Sequence, residues 1–222
     1  NLAEEAGIDL EIEEIDDYQI PNQALSDGDI DANFFQHLPF FEDQVETKGF
    51  DLEHGEGVHL EPLTAFSKKY DSGEDVPEEA VVVINNDPAN QIRGLRVLEA
   101  AGLLNDIEDE DTALSVQDDE AKNPKKLQFN EVQAEQSPRL YQEDDSVDIA
   151  IVNGNYILQA NLDLEEALQV EPAEDNPYSN FLTWRTGDKT DAITTLDELL
   201  HSEEVREFIE TTWDDGSVIP AF

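Results

Sequence analysis

Apolar and polar positions change their period several times along the chain, and each period predicts an element. IDLEI at 8–12 alternates apolar and acidic residues, the pattern of a half-exposed strand. PNQALSDG at 21–28 predicts a short helix, opened by Pro21 and closed by Gly28. VHLEPLTAF at 58–66 is strand-like but interrupted by Pro62, which predicts an edge position or a kink. VVVI at 81–84 is β-branched and apolar on both faces, as a central parallel strand is. Directly after it, NNDPANQIRGLRVLEAAG places Asp87 as N-cap, Pro88 at the first helical position and Gly102 at the stop. VDIAIV at 147–152 repeats this logic, running through NGNY into a short helix that reaches Gln159. Helices are also predicted over 111–121, 162–168, 192–201 and 202–213. Strands alternating with helices predict an α/β fold with parallel sheets.

One stretch fits no single period. If DANFFQHLPFFE were helical, Phe34, His37 and Phe41 would share a face while Phe35 and Phe40 fell elsewhere. Pro39 would kink or end any helix passing through it. A core helix needs only one apolar stripe. Aromatic, amide and imidazole groups on several sides from Phe34 to Pro39 point to contact with something besides the core.

Composition changes the picture of the surface. The chain has 222 residues, enough for one large domain or two small ones with real cores. It carries 55 acidic and 12 basic side chains, a formal charge of −43. Compact apolar runs argue against disorder, so the acids belong to a folded surface that repels itself. At about 1 M salt the screening length falls to about 3 Å, so the composition predicts a protein built for concentrated salt. The densest acidic loops, 106–111 and 143–145, read as solvated surface. No basic patch exists to neutralise phosphates, which excludes a nucleic-acid partner. There is no cysteine, and no apolar run approaches the length of a membrane span. The chain does not begin with methionine, so a processed or incomplete segment is expected, with any export signal upstream.

Catalytic and metal motifs fail on their spacing. Asp27, Asp29 and Asp31 alternate as in an EF-hand, but Ala32 and Leu38 stand where that loop needs Gly and Glu. The four histidines form no zinc spacing, and no nucleophile elbow, Walker A loop or dinucleotide fingerprint is present. No catalytic residue, metal or cofactor is predicted. The helix after VVVI presents its N-terminus to any anion, and Arg93, one of five arginines, could hold a carboxylate bidentately. A plain ion pair between Arg93 and one of the many surface acids remains the simpler alternative. Asn153, Asn155 and Asn180 follow or begin strand-like runs, where they could serve a zwitterion or simply form turns.

Taken in order, these segments resemble the NlpA-type methionine-binding lipoproteins. The resemblance runs from IDLEIEEIDDYQIPNQALSDGDIDANFFQHLPFFE through NDPANQIRGLRVLEAAGLL, VDIAIVNGNYILQA and NPYSNFLTWR to SVIPAF. It implies a bilobal periplasmic-binding-protein-like fold, two α/β lobes with a ligand cleft between them. Lobe one would be 1–75 plus 172–222 and lobe two 76–171, with hinge crossings near 70–76 and 157–175. The family's N-terminal strand and helix would lie ahead of this segment, as would its lipidated cysteine.

By the same resemblance, Tyr18, Phe35 and Phe40 would cage a thioether side chain, with His37 on the same wall. Arg93, supported by Asn90, would hold the ligand carboxylate, and Asn153 and Asn180 would hold the amino and carboxylate groups. Family members often carry Tyr where this chain has Phe40, so a hydroxyl contact is lost there. The implied protein is a monomeric, non-enzymatic carrier of L-methionine or a related amino acid. It would serve ABC permease subunits from the outer face of the cytoplasmic membrane. Two alternatives stand beside it: the same fold taking another apolar amino acid or a methionine-containing dipeptide, and an acidic interaction protein without a ligand.

Overall fold

The structure, a computed structural model, describes residues 2–222. In chain order its elements begin with α1 (Leu2–Glu5), α2 (Ile20–Asp27), β1 (Ala32–His37), α3 (Leu38–Lys48), β2 (Leu52–His54) and β3 (His59–Leu60). The middle of the chain forms β4 (Thr64–Phe66), β5 (Val81–Asn85), α4 (Pro88–Ala100), α5 (Ala113–Gln117) and β6 (Gln128–Val132). It continues with α6 (Ser137–Glu143), β7 (Ile149–Val152), α7 (Gly154–Ala160) and β8 (Ala167–Val170). The last elements are β9 (Asn180–Arg185), α8 (Asp191–Leu200), α9 (Glu203–Thr212) and β10 (Ile219–Pro220).

These elements form two compact units. The first combines the segment ending at Glu61 with Asp175–Phe222, and the second is Pro62–Glu174. Residues 62–75, expected with the first unit, pack in the second, because β4 is hydrogen-bonded between β7 and β8. Pro62 does split the strand-like run, leaving β3 and β4 in different sheets.

In the first unit β9 is the central strand, with β1 on one side and β2 and β3 on the other. Every pair in this sheet is antiparallel, against the parallel expectation. The reason is connectivity: β9 returns only after the whole second unit and runs against the strands it meets. Leu25, Phe41, Phe50, Leu52 and Phe181 form one core of this unit.

The second unit has the strand order β6-β5-β7-β4-β8. Strands β5, β6 and β7 are mutually parallel and are linked through helices, as parallel strands require. The apolar run of β5 is central, as predicted, and packs with Leu95, Leu98, Leu127, Ile149 and Ile151. Gly94 lets α4 lie close on the sheet, since a Cβ there would sit 3.2 Å from Ile84 and Ile151 side chains. Asp87 caps α4 by accepting the Asn90 N–H at 2.8 Å, and Gly102 follows the helix in the left-handed region at φ +73°.

Three elements differ from expectation. Residues 8–12 form no strand, and Leu10 and Ile12 are exposed; their alternation has no sheet to pack against among the described residues. The helix expected over 162–168 is a single 3-10 turn followed by β8, because Ala167, Gln169 and Val170 pair with β4. The helix expected over 111–121 is confined to α5, opened by a reciprocal Thr112–Ser115 capping box.

Candidate functional site

The stretch ANFFQHLPFF is a strand that turns directly into a helix. Pro39 sits in the first turn of α3, where its missing N–H costs nothing, so it opens this helix rather than ending one. His37 caps the same helix, its Nδ1 accepting the Phe40 N–H at 3.3 Å. That acceptance places the proton of a neutral His37 ring on Nε2.

A β-bulge decides where the aromatic rings go. Asn33 pairs with Thr183 and Phe34 with Leu182, but the next paired residue is Gln36, opposite Phe181. Phe35 is the extra residue. The register shift brings Asn33 and Gln36 to the same face despite their odd spacing, and both bond to the buried Asn22. Phe35 is thereby turned out of the ladder toward Tyr18 and Phe40.

The three rings form a nearly equilateral triangle. Tyr18–Phe35, Tyr18–Phe40 and Phe35–Phe40 centroids are 6.1, 6.1 and 6.0 Å apart, all tilted or edge-to-face. His37 stands edge-on to Phe40 at 6.3 Å and to Tyr178 at 5.0 Å. Asn180, the first residue of β9, pairs with His37 on one side and His59 on the other. Its Nδ2 lies 3.4 Å from His59 Nε2, which also meets Glu61 at 3.0 Å. This cluster offers polarizable ring surface and suits an uncharged side chain.

In the second unit, amides collect at the C-terminal ends of two parallel strands. Asn85 ends β5, and Asn153 follows β7 as N-cap residue of α7. Asn85 Nδ2 donates to Asn153 Oδ1 at 2.8 Å, and Asn153 Nδ2 donates to Asn90 Oδ1 at 3.1 Å. Asn90 Nδ2 completes the chain by donating to the N-cap carboxylate of Asp87 at 3.0 Å. Such strand ends, beside helix N-termini, are where α/β sheets present groups to ligands. Asn155 lies in the first turn of α7.

Arg93 is one turn further along α4 than Asn90, and it is buried. Its Nε and Nη2 donate to the two oxygens of Glu171 at 2.8 and 2.6 Å. The partner is therefore a buried acid just after β8, not one of the surface acids. Among the described residues, Arg93 and Glu171 are the only fully charged side chains in the buried set.

Tyr18, Phe35, His37 and Phe40 thus come together in the first unit, where Asn180 pairs with His37. Asn90 and Asn153 come together in the second, with Arg93 on the helix that carries Asn90. Sequence reasoning missed Asn85 and Glu171. Asn85 had a weak signal, a polar residue closing an apolar strand. Glu171 had none, being one acid among 55. Among the described residues no group of His, Cys, Asp or Glu is arranged to hold a metal ion, and no helix is long and apolar enough to cross a membrane.

Comparison with known proteins finds relatives that match along nearly the whole chain. The family model described as NlpA lipoprotein matches residues 1–222. The methionine-binding lipoprotein MetQ of Bacillus subtilis is 37% identical over 222 residues, covering 99% of this chain and 80% of that protein. The D-methionine-binding lipoprotein MetQ of Escherichia coli K12 is 33% identical, covering 96% of this chain and 78% of its own length. A lipoprotein structure from Actinomyces odontolyticus superposes with a TM-score of 0.92 at 43% identity, covering 100% of this chain and 90% of that one. A nutrient-binding protein from Burkholderia cenocepacia, solved bound to methionine, superposes with a TM-score of 0.90 at 33% identity, covering 100% and 92%.

Proposed function

The chain belongs to the NlpA lipoprotein family, and from that premise we propose that it is an extracytoplasmic solute-binding protein capturing methionine for an ABC importer. The observation that carries the ligand is the triangle of Tyr18, Phe35 and Phe40, with every centroid separation near 6 Å. Aromatic rings attract a thioether sulfur by about 0.3–1.5 kcal/mol per contact. His37 lines the same wall. Arg93, with Asn90 and the N-terminus of α4, takes the ligand carboxylate, and Asn153 and Asn180 take the amino and carboxylate groups.

Methionine is a net-neutral zwitterion, so the −43 charge of the chain does not repel it at long range. The protein acts as a monomer, without catalysis, and hands its ligand to the membrane subunits of a permease. It works at the outer face of the cytoplasmic membrane, in keeping with the family's lipoprotein character.

Calorimetry in molar KCl with L-methionine, D-methionine, leucine and a methionine-containing dipeptide tests this reading. Methionine is expected to bind tightest. A folded protein that gives no heat with any of them would remove the carrier role, and tighter binding of leucine or the dipeptide would reassign the ligand.

A further inference from the structure

Arg93 and Glu171 are the only fully charged side chains among the buried described residues, and they are bound to each other. In a chain with 55 acids against 12 bases, nearly all charge stays on the surface. This pair is kept inside by geometry: two parallel N–H···O bonds join guanidinium to carboxylate. Glu171 Oε2 also accepts the Leu63 N–H at 3.1 Å, while the Glu171 N–H donates to Leu63 O at 2.9 Å. Leu63 and Glu171 are close to the points where the chain enters and leaves the second unit, at Pro62 and Glu174. The carboxylate is therefore fixed by α4 and by both of these segments.

A buried arginine alone would favour any anion. Paired with Glu171 it presents no net charge, so a carboxylate brought to Arg93 also meets the negative field of Glu171. That repulsion is relieved only if the ligand carries a cationic group beside its carboxylate. The two oxygens of Glu171 accept three hydrogen bonds, where a carboxylate can take about four. We propose that Glu171 is the residue that sets the charge class of the ligand: it balances Arg93 and receives the α-ammonium, so that zwitterions are taken and plain carboxylates refused. This rests on the reading of Arg93 as the carboxylate holder in a methionine site.

Titration calorimetry at molar KCl, where surface charges are screened but a buried pair is not, tests the proposal on wild type and Glu171→Gln. The ligands are L-methionine, its deamino analogue 4-(methylthio)butanoate and N-acetyl-L-methionine. Wild type is expected to bind methionine at least about tenfold tighter than either anion. In Glu171→Gln that preference narrows by about tenfold or reverses, an outcome that a packing role alone does not produce. Glu171→Asp keeps the charge and is expected to keep the preference at lower affinity.

A folded Glu171→Gln protein with the wild-type preference overturns the proposal, as does a wild type that binds the deamino analogue as well as methionine. If the Gln variant does not fold, Glu171→Asp decides, and loss of the preference there overturns it. Wild type binding no methionine would sink the carrier reading and this inference together. An unchanged preference alongside normal methionine binding sinks the inference alone.

Discussion

The side-chain amides of Asn22 and Gln36 face each other as a reciprocal pair. Asn22 Nδ2 donates to Gln36 Oε1 at 2.7 Å, and Gln36 Nε2 donates to Asn22 Oδ1 at 2.8 Å. Asn33 and Thr183 complete the buried network, which fixes α2 against the bulge that aims Phe35. Gln36→Leu would keep the volume but leave Asn22 with a buried donor and an acceptor less well matched. Each such orphaned group costs about 1–3 kcal/mol. The variant is expected to lose about 2–4 kcal/mol of stability in denaturant titrations and to bind methionine more weakly, because the Phe35 ring is no longer held.

The ring triangle makes a sharper prediction about the ligand than about the fold. Phe35 is half-buried and stands outside the strand ladder, so Phe35→Ala should leave the sheet intact. It removes one of three aromatic partners for sulfur, each worth about 0.3–1.5 kcal/mol beyond ordinary burial. Competition between methionine and its sulfur-free isostere norleucine isolates this term. The affinity ratio in favour of methionine is expected to fall about two- to tenfold in Phe35→Ala; a ratio that does not move would take Phe35 out of the thioether wall.

Legibility in the sequence followed the range of the interactions. In β5 and α4 every cue is local: β-branched residues, then Asp87, Pro88 and the terminal Gly102 within one short span. The same held for α8 and α9, each opened by a Thr or Ser cap. The aromatic stretch shows no single period because a strand with a bulge runs into a helix there, and the bulge is fixed from afar, by Asn22 at a separation of 14 residues and Thr183 at 147. In segment 162–168, β-pairing with β4, more than 90 residues earlier, overrides a weak helical pattern. Glu171 was invisible because charge carries little information in so acidic a chain. Its distinction is burial, which appears only when α4 and the end of β8 are brought together.

Removing only half of the buried ion pair should cost stability as well as binding. Arg93→Ala leaves Glu171 buried, keeping of its hydrogen bonds the one from Leu63. Such uncompensated charges typically cost about 3–5 kcal/mol, whereas replacing both partners by apolar residues is often close to neutral. Arg93→Ala is therefore expected to melt well below wild type, and Arg93→Met combined with Glu171→Leu to recover most of that loss. Neither protein should bind methionine. Equal melting temperatures for the single and double variants would show that the pair carries no such coupling.

Asp148 gives the second unit an acid-sensitive joint. Its Oδ2 accepts the Val81 N–H at 2.8 Å, and its Oδ1 meets Lys69 at 3.0 Å and the Tyr70 hydroxyl at 3.3 Å. Burial acts to raise its pKa, but the Val81 N–H, the Lys69 ammonium and the Tyr70 hydroxyl together hold it below the ordinary carboxylate value. A carboxyl depressed in the folded state adds stability above its unfolded pKa, about 3.9, and loses it as pH falls through the folded value. Asp148→Asn should be less stable than wild type at neutral pH. The difference should shrink as pH falls below about 4, a trend read from paired denaturant titrations. A difference constant from neutral to strongly acidic pH would mean that Asp148 acts by shape alone.

The overall charge makes the folded state itself depend on salt. With 12 bases against 55 acids, most surface carboxylates have no basic partner, and the net charge is −43. Several of the few basic groups are already engaged: Lys122 lies between Asp111 and Glu108, whose hydrogen bonds push its pKa up to about 12, and Lys125 donates to the carbonyls of Gly73, Glu74 and Val76. Screening over about 10 Å at 0.1 M salt leaves neighbouring carboxylates in each other's field, whereas about 3 Å at 1 M does not. Unfolding spreads the charges and relieves their repulsion, so lowering salt favours the unfolded chain. The melting temperature is expected to rise steeply with KCl from about 0.1 to 1 M, and dialysis into low salt should unfold the protein. Substituting a cluster of exposed acids such as Glu11, Glu13 and Glu14 by Gln should flatten that dependence without changing the ligand preference. A melting temperature independent of salt would overturn the account of the acidic surface.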